Sequence, residues 1–211
     1  MAHFLRRAKL EEAVVALLRA EGQSPCSFRY LALEGVDRRV IDHPDYDSHE
    51  ENMLRWHALG GRKSLFASLP QDTEWWAATI SCGDLAALVA GDYAAWSLYS
   101  GGTRHLLTVA VAIRDGRRPQ SQDPLIAKEL SKLQESIPAI RRALDEGQTI
   151  NPLVLLGTGQ AGPFYVIEGT KRATALCWRH CLDNIPCPGL EVLVAITGAK
   201  EQHEAKRQNC L

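Results

Sequence analysis

The stretch that decides the fold is FYVIEGTKRATALCWR, residues 164–179. Its first five residues are mostly aromatic and β-branched and predict a strand that ends at Glu168. Gly169 follows, and an alanine-rich segment with helical character begins at Thr170. A strand, a glycine and a helix in immediate succession indicate a tight turn, at which the backbone comes close to another group.

The first turn of the predicted helix carries Thr170, Lys171 and Arg172. A helix dipole favours acidic residues in this turn, so two cations there are mildly unfavourable unless an anion is bound. Free backbone N–H groups at a helix start bind phosphate, and arginine can hold it with two hydrogen bonds. We therefore predict a phosphate site made of Gly169, Thr170, Lys171 and Arg172. The alternative is an ordinary turn in which Thr170 caps the helix and the two cations are solvated.

Glu168 ends the strand beside the predicted phosphates. A carboxylate in that place is a candidate ligand for Mg²⁺, or a candidate base that accepts a proton from a hydroxyl substrate. The acidic, histidine-containing loop at residues 42–51 is a second source of a base. The alternative for that loop is a solvated linker, which is the usual role of a charge-rich loop.

Periodicity and breakers predict the other elements. Predicted strands lie at residues 74–80, 151–156 and 190–196. Predicted helices lie at residues 10–22, at 84–91 (DLAALVAG, capped by Ser81 and Asp84), at 93–100, and from Thr103 as N-cap to Gly116. Two more meet at Pro138, of which the first begins at Pro124 and the second ends at Gly147.

Short motifs in the chain suggest other sites, and each has a simpler explanation. GTGQAG at 157–162 matches a dinucleotide-binding pattern, but a proline and a strand follow where that pattern requires a helix, so it predicts a hairpin turn. GGRKS at 60–64 lacks the spacing of a phosphate-binding loop. Cys177, His180, Cys181 and Cys187 could surround a metal ion, but a helix face packed in the core explains them equally well and is the favoured interpretation.

Composition limits the classes of function. The chain has 211 residues, 45% of them hydrophobic, and a net charge of −1, which predicts one main domain without a global attraction to nucleic acid. Nucleic-acid binding would need a local patch, in which RRAK (6–9), RDGRR (114–118) and AIRRAL (139–144) could join Arg172. No apolar run reaches membrane length, and six scattered cysteines without a secretion signal predict a cytoplasmic protein.

The strand, the G-x-x-R element in IEGTKRATAL and the alanine-rich helix resemble the ParB/sulfiredoxin superfamily. The upstream stretch LQESIPAIRRALDEGQTINPLVLLG, residues 133–157, resembles the helix, glycine turn and strand of that family. The resemblance covers residues 74–197. It implies an α/β (α+β) fold with a small mixed sheet flanked by helices, preceded by a mostly helical or irregular extension at 1–73 and followed by a tail at 198–211.

The resemblance also implies that Gly169, Thr170, Lys171 and Arg172 hold nucleotide phosphates. Two departures narrow the chemistry. Thr170 stands where sulfiredoxins have a catalytic cysteine, so cysteine repair is not expected. Lys171 replaces the usual histidine, which keeps a cation but removes a proton-transfer group near neutral pH.

We therefore expect a nucleotide-binding protein that uses ATP, ADP or CTP with Mg²⁺ as a phosphotransferase or nucleotide hydrolase, with a small hydroxyl compound as acceptor. Lys171 and Arg172 would stabilise charge on the transferred phosphoryl group. The alternatives are a regulatory module that senses a nucleotide or holds a nucleic-acid backbone, and an accessory protein that docks a protein partner through residues 1–73. No membrane partner is expected.

Overall fold

A six-stranded mixed sheet forms the centre of the molecule. The structure, a computed structural model, describes residues 2–22 and 31–198. The strands are β1 (His3–Arg7), β2 (Glu74–Ile80), β3 (Val89–Ala90), β4 (Leu153–Gly157), β5 (Phe164–Glu168) and β6 (Leu190–Ile196). They lie in the order β1-β2-β6-β4-β5-β3. The pairs β4/β6 and β3/β5 are parallel and the others antiparallel, so the predicted mixed α/β class is confirmed.

Helices account for most of the remaining chain. They are α1 (Leu10–Gly22), α2 (Arg39–Asp42), α3 (His49–Ala58), α4 (Ser64–Ala67), α5 (Cys82–Ala86), α6 (Ala94–Ser100), α7 (Leu106–Arg114), α8 (Pro124–Asp145) and α9 (Thr170–Leu176). A 3-10 turn at Gly60–Lys63 precedes α4, and a π-helical turn at Cys177–Leu182 continues α9. Within the described residues, no helix combines the length and apolar character needed to cross a membrane.

The sheet is covered on both faces. In β6, Val192 and Val194 belong to the core that also contains residues of α5 to α9, whereas Leu193 and Ala195 belong to the core that contains residues of α1 to α4. The same alternation runs through β4. Central strands that are buried on both faces read as continuous apolar runs, which is why their sequences lack a polar alternation.

Residues 1–73, expected as an extension, contribute to this sheet. β1 is its edge strand and pairs with β2, and Val14, Leu17 and Leu18 of α1 are buried against the same core as Val154. Strand β1 was not predicted from the sequence. Its residues are mostly exposed and include two arginines, a composition typical of a protected edge strand and not of a buried one.

The structure confirms the helix at 10–22, the strands of the 151–168 hairpin and the helix that starts at Pro124. Asp123 is the N-cap of α8 and accepts hydrogen bonds from the backbone N–H groups of Leu125 and Ile126. The turn GTGQAG joins two antiparallel strands, as predicted.

Three local predictions were wrong. Pro138 lies inside a single continuous helix, α8, because buried residues on both sides of it, such as Leu133 and Leu144, pack on the same core and compensate for the missing hydrogen bond. Helix α7 has His105 as its N-cap residue, not Thr103. Val89 and Ala90, assigned to the end of a helix, form β3. Of the predicted tail at 198–211, residues 199–211 lie outside the described residues.

A buried arginine organises the helical layer of residues 31–73. Arg55 of α3 is fully buried. Its Nε donates to the carbonyl of Val40 at 2.7 Å, and its Nη2 donates to the carbonyl of Asp45 at 2.9 Å and to Glu51 Oε2 at 2.6 Å. Nη1 donates to Asn52 Oδ1. One side chain therefore ties α2, the following loop and α3 together.

The acidic loop at 42–51 is thus part of the framework in the structure. Ser48 caps α3 by accepting from the backbone N–H of Glu51. Asp47 pairs with Lys9, and Glu51 pairs with both Arg39 and Arg55. These contacts give Asp47, Ser48 and Glu51 structural roles.

Arg55→Leu should lower the free energy of unfolding by about 3 kcal/mol, because the carbonyls of Val40 and Asp45 and the largely buried Glu51 carboxylate each lose a donor. Urea denaturation followed by circular dichroism measures this change. Arg39→Leu is the control, since Arg39 is exposed and also pairs with Glu51, at 3.0 Å; it should cost about 0.5 kcal/mol. Equal losses for the two variants would contradict the organising role of Arg55.

Candidate functional site

The predicted site lies where two parallel strands end. β3 and β5 pair with Val89 opposite Tyr165 and Ala90 opposite Val166, so both chains leave the sheet at the same edge. β5 ends at Glu168, immediately before Gly169. Ligands of open α/β sheets bind beyond the carboxyl ends of strands, which makes this edge a candidate ligand site.

Gly169 forms the predicted tight turn. Its φ of +91° is left-handed, and a Cβ there would lie 2.8 Å from Leu153 Cδ2 and 2.9 Å from Arg172 Nη2. Its carbonyl accepts the hydrogen bond from the N–H of Ala173 at 2.8 Å, which starts α9. Only glycine fits both the conformation and the space. The groups that approach the backbone so closely belong to the protein itself.

Arg172 connects the turn to the start of β4. Its Nη2 donates to Glu168 Oε1 at 2.9 Å, and its Nη1 donates to the carbonyl of Asn151 at 2.9 Å. Its side chain is only 14% exposed, so it is not the solvated residue of the ordinary-turn alternative. In this structure the guanidinium has a structural role, and any phosphate must share it or replace Glu168.

Lys171 and Thr170 face different surroundings. Lys171 Nζ lies 3.5 Å from Glu129 Oε1 on α8. Thr170 is the first residue of α9 and Gly169 is its N-cap, so Thr170 does not cap the helix as the ordinary-turn alternative supposed. The Thr170 carbonyl accepts from Thr174 Oγ1 at 2.8 Å.

A second ion pair reaches this edge from the N-terminal layer, the described residues before β2 that form β1 and α1 to α4. Arg62 Nη2 lies 2.9 Å from Glu21 Oε1, and the Glu21 side chain is only 7% exposed. Glu21 Oε2 is buried without a hydrogen-bond partner in the described part of the chain. Arg62 belongs to GGRKS, which is a 3-10 turn and not a phosphate-binding loop.

The charges of Arg172, Glu21 and Arg62 all act on Glu168. Burial raises the pKa of Glu168 above its usual 4.5; Arg172 opposes this change, Glu21 adds to it and Arg62 opposes it. The net direction is upward. A carboxyl group with a raised pKa is easier to protonate, as a proton acceptor at a reaction centre needs to be.

Tyr93 stands beside these charges. It follows β3, is 41% exposed and packs closely over Gly91, where an added Cβ would lie 2.9 Å from its ring. Its ring centroid lies 5.6 Å from that of Trp96. Burial raises the pKa of Tyr93, the negative charge of Glu168 raises it further, and Arg62 lowers it, so the phenol shares the surroundings of the Glu168 pair.

Several residues at this edge were not predicted from the sequence as site residues: Glu21, Arg62, Tyr93 and Glu129. They come from α1, the 3-10 turn, the segment after β3 and α8, which are far apart in the chain. No local motif links them, and only the sheet order brings them to β5. The structure brings the predicted residues Glu168 to Arg172 together by sequence adjacency, and the acidic loop makes its described contacts elsewhere.

Five of the eight basic residues in the segments considered for nucleic-acid binding are paired with carboxylates. The pairs are Arg6–Glu12, Arg7–Glu74, Lys9–Asp47, Arg114–Asp115, Arg141–Asp145 and Arg141–Asp183. Much of their positive charge is therefore balanced locally, which weakens the case for a basic surface.

Comparison of the chain with protein-family models, with curated proteins and with solved structures gives no match. The ParB/sulfiredoxin resemblance thus depends on the residues of the strand, turn and helix described above.

Gly169→Ala should lower the free energy of unfolding by about 3 kcal/mol, from the left-handed φ and from the contacts with Leu153 and Arg172. Gly147→Ala is the matched control, because its φ of +83° is also left-handed but a Cβ there meets nothing within 4 Å. It should cost only about 1 kcal/mol. Equal losses in urea denaturation would show that space at Gly169 is not limiting.

Glu168 should titrate above 4.5, its usual pKa. Because the native state then binds the proton more tightly than the unfolded state, the stability that Glu168 contributes is greatest below the unfolded pKa and falls as pH rises through the native pKa. The difference in unfolding free energy between wild type and Glu168→Gln should therefore decrease as pH rises above about 4.5.

Glu12 provides the opposite case in the same protein. Its hydrogen bond with Arg6 lowers its pKa, so its contribution to stability is present at neutral pH and is lost as pH falls through the native pKa. Carboxyl NMR titration measures both groups directly. A Glu168 midpoint at or below that of Glu12 would contradict the burial argument.

Proposed function

We propose that the chain binds a nucleoside triphosphate or diphosphate, ATP, ADP or CTP, with Mg²⁺ at the edge beyond β3 and β5, and acts as a phosphotransferase or nucleotide hydrolase. The observation that carries this proposal is the gathering of Arg62, Lys171 and Arg172 at that edge, each beside a carboxylate. Gly169, Thr170, Lys171 and Arg172 would form the phosphate cradle.

The mixture of charges favours a metal-bound nucleotide over a bare anion. The partners of the three cations are Glu21, Glu129 and Glu168, which would repel an unneutralised phosphate. Mg²⁺ is usually held by one or two carboxylates together with phosphate oxygens. Glu168, the carboxylate nearest the cradle in the chain, fits that role through its donor type.

The start of α9 supplies backbone donors. The first N–H groups of a helix have no partner within the helix, and no side chain caps α9 in the described structure. The N–H groups of Thr170, Lys171 and Arg172 are therefore suited to phosphate oxygens. This supports the cradle independently of the side-chain charges.

Tyr93 provides a surface for the base. A half-exposed aromatic ring beside a phosphate site can stack on any nucleobase, with a contribution of about 1–3 kcal/mol. Such stacking does not distinguish ATP from CTP, so the base preference needs direct measurement.

The residues divide into roles in the proposed reaction. Lys171 and Arg172 stabilise charge on the transferred phosphoryl group, since phosphoryl transfer depends mostly on positioning and electrostatics. When Arg172 turns to phosphate, Glu168 loses its partner and becomes available to Mg²⁺ or to the proton of a hydroxyl acceptor. In the free protein Arg172 stays paired with Glu168.

A DNA-binding module has less support, because five of the eight basic residues in its candidate segments are paired with carboxylates. A module that only senses a nucleotide at the same site is the alternative. We also propose a cytoplasmic location, with which the free thiols of Cys82, Cys177, Cys181 and Cys187 agree.

Lys171→Ala should weaken nucleotide affinity about tenfold, or about 1.4 kcal/mol, because it removes a cation from the cradle. The contacts of Arg172 with Glu168 and the Asn151 carbonyl stay in place. Isothermal titration calorimetry with ATP, ADP, CTP and GTP, each with and without Mg²⁺, measures the effect. Lys9→Ala is the matched control, since Lys9 pairs with Asp47 on α1's side of the sheet and its loss should leave affinity unchanged.

The proposal fails if no nucleotide binds in the presence of Mg²⁺, or if Lys171→Ala binds as tightly as Lys9→Ala. Thermal denaturation of each free variant checks that the fold is intact before affinities are compared. Release of inorganic phosphate, with and without hydroxyl acceptors, then separates hydrolysis from transfer.

A further inference from the structure

Two thiols and an imidazole meet at a distance from the proposed nucleotide site. The Sγ atoms of Cys82 and Cys187 and a ring nitrogen of His180 all lie within 4.8 Å of one another. Cys82 is the first residue of α5, His180 lies in the π-helical turn after α9, and Cys187 lies in the loop before β6. The fold therefore brings three metal-binding side chains together from separate segments.

The imidazole is held as a metal ligand usually is. His180 is buried, and its Nδ1 lies 2.9 Å from the carbonyl of Ile185. A carbonyl can only accept, so Nδ1 carries the proton and the lone pair is on Nε2. Metal-binding histidines commonly donate their second ring nitrogen to a backbone carbonyl in this way, which fixes the tautomer and the orientation of the ring.

The backbone also fits such a role. A π-helical turn is uncommon and is frequent at functional sites, and here it contains His180. Cys187 lies between Pro186 and Pro188, whose rings restrict the backbone on both sides of the thiol. A further thiol lies close by, since Cys181 Sγ donates to the carbonyl of Cys82 at 3.7 Å.

The separations are close to those of a tetrahedral zinc site. Zinc bonds of about 2.3 Å to sulfur and about 2.0–2.1 Å to nitrogen separate neighbouring ligand atoms by about 3.5–3.8 Å. The observed limit of 4.8 Å exceeds this by about 1 Å, which small side-chain rotations can supply. Cysteine and histidine together select zinc over Mg²⁺ or Ca²⁺, which prefer oxygen ligands.

We propose that Cys82, His180 and Cys187 bind one zinc ion. The sequence pattern alone grouped Cys177, His180, Cys181 and Cys187, whereas the structure groups Cys82 with His180 and Cys187. In the structure Cys177 is fully buried and donates its thiol hydrogen to the carbonyl of Leu85. Through Cys82, His180 and Cys187, the zinc joins the start of α5, the π-helical turn and the loop before β6. It thereby holds that loop against the rest of the fold.

This site and the proposed nucleotide site lie at opposite ends of one helical segment, residues 170–182. The zinc proposal does not depend on nucleotide binding, since it uses none of Glu168 to Arg172. Loss of one site can therefore be measured while the other is intact.

The test uses the full chain, reduced and stripped of metal with a chelator, and titrated with Co²⁺. Binding at two thiolates and an imidazole should give a thiolate-to-cobalt charge-transfer band and the visible bands of tetrahedral Co²⁺, at one ion per chain, and Zn²⁺ should abolish both. Cys82→Ala, Cys187→Ala and His180→Ala should each weaken Co²⁺ binding by more than about 100-fold, because loss of even an outer partner costs about 10- to 100-fold.

Cys177→Ala is the matched control, since it removes a thiol from the same helical turn and leaves all three ligands; its affinity should match that of wild type. Absence of the charge-transfer band in wild type would overturn the proposal without any variant. Equal Co²⁺ affinity in Cys177→Ala and the three ligand variants would also overturn it. So would a mass spectrum that shows a disulfide between Cys82 and Cys187 after the reduced chain has been refolded with metal present.

Discussion

The close packing at Gly169 is the constraint on which the candidate site depends. A strand must end and a helix must begin within one residue, while the side chains of Leu153 and Arg172 occupy the space where any Cβ would stand. Arg172 is held there by Glu168 and by the carbonyl of Asn151. The glycine, the ion pair and the start of β4 form one unit, so the orientation of α9 follows from a contact that only glycine permits.

This unit gives Arg172 two roles that compete. In the free protein its guanidinium satisfies a carboxylate of raised pKa and a backbone carbonyl. In the proposed complex it also contacts phosphate. An ion pair that is only partly buried makes such an exchange feasible, because the solvated alternative for each partner is close in free energy. Arg55 is fully buried and also donates to the carbonyls of Val40 and Asp45, so its guanidinium has no such freedom and serves structure alone.

The sequence predicts the elements whose signal is local and leaves out those that depend on neighbours. Apolar runs, caps and the glycine turn identify β2, the β4/β5 hairpin, β6, α1 and α9, since period and breakers are properties of the segment itself. β1 and β3 are short or charged and become strands only because β2 and β5 offer partners. From the local sequence Pro138 predicts the end of a helix, whereas packing on both sides of it keeps α8 continuous. Likewise, Arg62 and Tyr93 carry no motif, and only the topology of the sheet places them beside Glu168.

The N-terminal layer therefore contributes residues to the candidate site that its sequence does not indicate. Because β1 pairs with β2 and α1 covers the sheet, Glu21 at the end of α1 is fixed relative to β5. Its partner Arg62 follows from the same layer. A buried carboxylate with one oxygen unpartnered in the described structure is costly, and proteins retain such groups where a ligand or reaction uses them. The layer thus does more than cover an apolar face, because it brings the cation of Arg62 and the carboxylate of Glu21 to the edge where β3 and β5 end. Without it, Lys171 and Arg172 alone would remain of the three cations named at that edge.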